Sequence, residues 1–199
     1  LKVLCRGNHD WWWTSGTKAR RLCPEGVLVL DSEATRVGNF VFAGTKGYTA
    51  PGDPWWNETR DRAPFERNIK RLEKTLDQLE ALVPSDSSSS QSSLISSPAS
   101  TNSTSSIEDA TRTDRESAAV HRFLLLHYPP WRADGEETEF FRRIVRRQQR
   151  RPGLVSVVVY GHFHSRAEWV ACPDRTVDGI RWFLGSADKL NFRPLQIWP

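Results

Sequence analysis

The sequence predicts a layered α/β fold (α/β, in the α+β layered sense), and three observations carry that reading. Short runs of aliphatic and β-branched residues have strand length, two longer stretches repeat apolar residues at spacings of three and four, and the two kinds alternate along the chain. A chain of 199 residues with 38% apolar content can build one core, so residues 1–199 are expected to form a single domain.

The elements follow in order. Residues 1–5, 26–30 and 40–43 read as strands, the third closed by Gly44. A loop rich in Gly, Pro and Trp runs from Thr45 to Ala63. Pro64 suits the first turn of a helix, and Phe65, Ile69, Leu72, Leu76, Leu79 and Val83 give it one buried stripe before Pro84 ends it. Residues 85–117 form a Ser-rich insertion that lacks the apolar surface to offset its ordering entropy, so disorder is expected there. Residues 122–126 read as a strand and 136–149 as a helix with Phe140, Phe141, Ile144 and Val145 inside. Residues 154–160 are a β-branched run expected as a buried central strand, and 167–171 and 180–184 as further strands.

Bulk properties exclude some classes. Every apolar run is far shorter than the ~20 residues a bilayer-crossing helix needs, so no membrane partner is expected. The net charge of +4 and pI of about 9.2 favour phosphate-bearing partners in general. The three cysteines, Cys5, Cys23 and Cys172, match no zinc or redox spacing, which points to a reducing, cytoplasmic location. Two glycosylation-type triplets begin at Asn57 and Asn102, a pattern common by chance. The chain contains no methionine and opens within a strand, so a fragment of a longer protein is expected.

Three of the strands end alike. The first runs into Gly7, Asn8, His9 and Asp10; the second into His127; the third into Gly161, His162, Phe163 and His164. Ligands of α/β sheets bind beyond the carboxyl ends of strands, so four of the five histidines are expected at one edge of one sheet, with His121 incidental. In an extended segment His162 and His164 would point the same way. Imidazoles with an amide carbonyl and carboxylates suit Mn, Fe or Zn. A lone buried histidine is more often structural, but the three motifs together and in this order favour a ligand role.

This pattern resembles the calcineurin-like metallophosphoesterase superfamily over residues 1 to about 186, the Ser-rich insertion apart. The stretches 185–188 and 192–195, and less specifically the Trp-rich segment, resemble a predicted bacterial-type phosphohydrolase branch. The resemblance implies a sandwich of mixed β-sheets flanked by helices, here lacking its first strands. It implies hydrolysis of phosphate monoesters or diesters by a hydroxide activated between two divalent metal ions, Mn, Fe or Zn, with Mg a further candidate. Asn8, His127 and His162 would bind the second metal, and His164 the first. His9 would face the phosphoryl group, with Asp10 hydrogen-bonded to it. The family's upstream Asp-x-His and Gly-Asp motifs are not present, so weak metal binding and slow turnover are expected of this chain.

Other residues carry weaker expectations. Arg6 adjoins the metal loop and is a candidate phosphate contact. Of Trp11, Trp12 and Trp13, two are expected to pack and one to wall the substrate pocket; Trp55 and Trp56 are lid candidates. The arginines from 142 to 151 could attract nucleic acid, although such a run is more often a solvated helix face. Two alternatives to the hydrolase stand: an inactive scaffold of the same fold that binds a protein partner, and a nuclease whose basic stretch shares the histidine edge. The intact motif residues favour the hydrolase. Oligomeric state is not readable from the sequence.

Overall fold

The computed structural model describes residues 1–83 and 119–197, so the insertion expected at 85–117 lies outside the described residues. In chain order the elements are β1 (Lys2–Cys5), α1 (Gly16–Leu22), β2 (Val27–Leu30), β3 (Glu33–Val37), β4 (Phe40–Thr45), α2 (Glu58–Ala81), β5 (His121–Leu126), α3 (Glu139–Arg150), β6 (Val157–Tyr160), α4 (Arg166–Ala171), β7 (Arg175–Val177) and β8 (Ile180–Leu184). The fold is mixed α/β. A six-stranded mixed sheet has the order β3-β4-β5-β6-β8-β7, and β1 and β2 pair in parallel as a second, two-stranded sheet. The central strands β4, β5, β6 and β8 are parallel, while β3 and β7 run antiparallel at the edges.

Period-two alternation in β4 shows how the layers stack. Val41 and Ala43 face the helix side and are fully buried against α2 leucines. Gly44 faces the other way, where an added Cβ would lie 2.9 Å from Cβ of Leu30 and 3.6 Å from Cβ of Cys5. The missing side chain thus lets the β1–β2 layer close onto β4. On the helix side Leu72, Leu76 and Leu79 of α2 and Phe140 and Ile144 of α3 join Leu124, Val158 and Trp182 in one core. Burying each such leucine contributes about 1.5–3 kcal/mol. Trp13, Ala19 and Val29 form a smaller cluster within the β1–α1–β2 unit. No helix among the described residues is long and apolar enough to cross a membrane.

Several boundaries and one assignment differ from expectation. Helix α2 starts at Glu58, before Pro64, because the Asn57 side chain caps it by accepting from Arg60 N at 2.9 Å. Helix α3 starts at Glu139, behind its Thr138 cap. Residues 167–171 form helix rather than the expected strand, since Ser165 and Glu168 make a reciprocal capping box. The hairpin β7–β8 turns on Asp178 (φ 50°) and Gly179 (φ 73°), the left-handed pair a two-residue turn requires. Edge strand β3 joins β4 through a second tight turn at Gly38 (φ 59°).

Candidate metal centre

Parallel strands deliver their following loops to the same edge. Lys46 follows β4, His127 follows β5, and Gly161 and His162 follow β6. The Asn8 loop arrives from β1, which belongs to the second sheet, so the expected single-sheet edge is in fact a junction of two layers. Gly7 makes the junction close: a Cβ there would lie 3.3 Å from both Nδ1 of His127 and Oδ2 of Asp10. His121 opens β5 at the opposite end from His127, its ring beside Phe40.

At this junction Nε2 of His127 lies 2.7 Å from Oδ1 of Asn8 and 3.1 Å from Nδ1 of His162. One ring nitrogen holds either a hydrogen or a lone pair, so it serves only one of these neighbours well. Ligands at about 2.1 Å from a cation, at right angles, lie about 3 Å apart, the spacing found here. Burial pushes the His127 pKa down to about 4, aided by the neighbouring charges of His162 and Lys46. Burial, then His164, lowers His162 as well. Both imidazoles are therefore neutral at pH 7, the form that ligates metal. Two imidazoles and an amide oxygen fit one borderline cation.

The remaining expected residues are placed differently. His162 sits at φ 74°, in the left-handed region, so the segment to His164 is not extended. His164 is 71% exposed, with Nδ1 3.0 Å from Oδ2 of Asp188. It lines the same cleft as His162 without joining the three-atom cluster. Among the described residues no group of three or more His, Cys, Asp or Glu could hold a metal; the cluster reaches three donors only through the amide of Asn8. His9 is exposed at the loop tip. The Asp10 carboxylate accepts from Gly7 N at 2.6 Å and Trp12 Nε1 at 3.2 Å, bracing its own loop where a bond to His9 was expected. Arg6 is half-buried, and its Nε has no hydrogen-bond partner.

The cleft beside the cluster has a volume of about 560 Å³. Besides Asn8, His162 and His164 it is lined by Tyr48, Thr49, Trp55, Arg60, Asp61, Tyr128 and Glu168. The Tyr128 ring lies 4.3 Å from that of His162, and Trp55 meets His162 edge-on at 6.4 Å. Trp56 instead packs on Phe65, so only one of the two lid candidates reaches the cleft. Of the three consecutive tryptophans Trp13 alone is fully buried, and Trp11 is 81% exposed. Tyr48, Arg60, Asp61 and the nearby Lys46 were hidden in a stretch that reads in the sequence only as loop. The one sequence signal there was the cap at Asn57, with Asp61 four residues on.

The arginines of α3 lie apart from this cleft. Arg143 and Arg147 pair with Glu73, Arg147 also with Asp77 and Glu80, Arg151 with Glu80, and Arg146 with Glu139. Arg143, Arg147 and Arg151 thus direct their charge to the α2–α3 contact, while Arg146 pairs within α3. No family model, no curated protein and no solved structure matches the chain.

Proposed function

We propose that the cleft is the active site of a metal-dependent phosphoesterase of the calcineurin-like superfamily, hydrolysing phosphate monoesters or diesters in the cytoplasm. The observation that carries this reading is the convergence of Asn8 Oδ1, His127 Nε2 and His162 Nδ1 within 2.7 and 3.1 Å contacts. A divalent cation held there, Mn, Fe, Zn or Mg, supplies Lewis acidity toward a phosphoryl oxygen and a water of lowered pKa. The chain's own groups do the rest. Half-buried, neutral His127 and His162 keep their lone pairs free for ligation. Exposed His9, next to Asn8, meets the phosphoryl group and, when protonated, hands its proton to the leaving oxygen. Trp55 and Tyr128 form the aromatic wall of the cleft beside His162.

A second reading, an inactive scaffold that binds a protein, draws on the absence of a three-residue His/Cys/Asp/Glu group among the described residues. Elemental analysis after loading with Mn, Fe or Zn separates the two. The hydrolase reading expects about one metal per chain, lost in His162→Ala, and turnover of bis-p-nitrophenyl phosphate or p-nitrophenyl phosphate. Metal content unaffected by the substitution, with neither ester cleaved, would sink it in favour of the scaffold.

A further inference from the structure

Arg60 stands in the first turn of α2 and lines the same cleft as the histidines. Its Nε donates to Asp61 Oδ1 at 2.8 Å, and its Nη2 donates to Asp61 Oδ2 at 2.7 Å and to the Trp55 carbonyl at 2.8 Å. Adjacent residues of a helix do not face each other, so this fork requires Arg60 to fold back along the helix end. Asp61 is 1% exposed and is itself fixed, accepting from Asn57 N at 2.8 Å and from the Tyr48 hydroxyl at 3.1 Å. Four donors occupy its two oxygens, which leaves it no capacity as a metal ligand. Its part is to hold Arg60.

A guanidinium has five N–H donors, and three of these are engaged. The two on Nη1 have no hydrogen-bond partner among the described residues, on a side chain that is 65% exposed. Clipping the Trp55 carbonyl needs a single donor, which a lysine could supply. A guanidinium clamped by Asp61 along its Nε–Nη2 edge holds Nη1 in place, a charged donor ordered in advance for an oxyanion oxygen. Lys46 adds a second cation nearby. Its Nζ lies 5.6 and 5.8 Å from the ring centroids of Tyr48 and Tyr128, both of which line the cleft. Among the described residues no carboxylate pairs with it.

We propose that Arg60 anchors a second oxyanion of the ligand while the Asn8–His127–His162 cluster takes the first. The substrate class is then a phosphate ester bearing a further phosphate or carboxylate. The word ester rests on the phosphoesterase reading; the anchor itself does not, because it is measured as binding.

The test is calorimetric titration of the full chain with tripolyphosphate, citrate and orthophosphate, once with chelator and once with Mn. Arg60→Ala should weaken tripolyphosphate or citrate by about tenfold or more, the scale of one charge-assisted hydrogen bond, and leave orthophosphate within about threefold. Arg60→Lys should not restore the loss, because it keeps the charge but cannot be clamped at two points by Asp61 with a further nitrogen left for the ligand. Which of the two polyanions suffers identifies the second group as phosphate or carboxylate. Equal binding of both by wild type and Arg60→Ala overturns the proposal. So does an equal loss for orthophosphate, or a wild type that binds neither polyanion. An Arg60 effect in chelator alongside metal-loaded protein that cleaves no ester would retire the hydrolase and keep the anchor. Thermal melting of each variant confirms that it is folded.

Discussion

His127 and His162 are 35 residues apart in the chain, and their facing ring nitrogens are 3.1 Å apart. The contact exists because β5 and β6 are parallel neighbours and because His162 accepts a left-handed backbone at φ 74°. Such a conformation costs a non-glycine residue on the order of 1 kcal/mol, persisting where the surroundings over-determine it.

That strain separates stability from function. His162→Gly should raise unfolding stability relative to His162→Ala by about 1 kcal/mol, since glycine adopts this φ freely. Both variants should lose metal binding alike. Urea denaturation with parallel metal titration checks this; equal stabilities would mean the backbone at His162 is unstrained.

Gly44 should be intolerant of any side chain. Gly44→Val places atoms where Leu30 already stands 2.9 Å from the first carbon. Overpacking of this kind costs about 1–3 kcal/mol. It should also part the β1–β2 layer from β4, drawing Asn8 away from His127. The expected result is a lower melting temperature together with weaker metal binding, and unchanged metal affinity would contradict it.

The Asp61 carboxylate predicts an acid limb of stability. Its hydrogen bonds from Arg60 outweigh burial and, with the Asn57 N–H, bring its pKa from 3.8 down to about 2. A depressed folded-state pKa contributes stability that is complete above 3.8 and disappears as pH falls toward about 2. Asp61→Asn should lack that limb. At pH 7 it should be less stable by about 1–3 kcal/mol, because four donors that share two carboxylate oxygens are left with one amide oxygen and an NH2 group that cannot accept. Urea midpoints of both proteins across this range provide the measurement.

Arg147 should be the most costly of the α3 arginines to remove. It reaches Glu73, Asp77 and Glu80 at 2.8–2.9 Å with only 22% of its side chain exposed. Arg147→Ala should cost about 1–2 kcal/mol, more than a lone surface pair, and the loss should shrink at high salt. Arg142→Ala, whose Nη2 binds only the Glu137 carbonyl, serves as the comparison.

Much of the fold was legible because its signals are local. The Leu72, Leu76 and Leu79 stripe and the β-branched run at Val157–Tyr160 each act within one element. The stretch at 167–171, expected as strand, carried its own warning in the Ser165–Glu168 capping box, and the short edge strands β3 and β7 were not expected at all. The β7–β8 hairpin was missed although its turn pair Asp178-Gly179 is a local signal.

By itself the sequence determined that strands end in Asn8, His127 and His162, since period and turn chemistry depend on near neighbours along the chain. Only the tertiary structure decided that these three side chains meet across two sheets, that His164 turns aside to Asp188, and that Asp61 locks Arg60 beside them. Those outcomes hang on strand order, on the closeness Gly44 and Gly7 permit, and on one left-handed backbone angle. Each is a relation between residues far apart in sequence, and no local pattern encodes it.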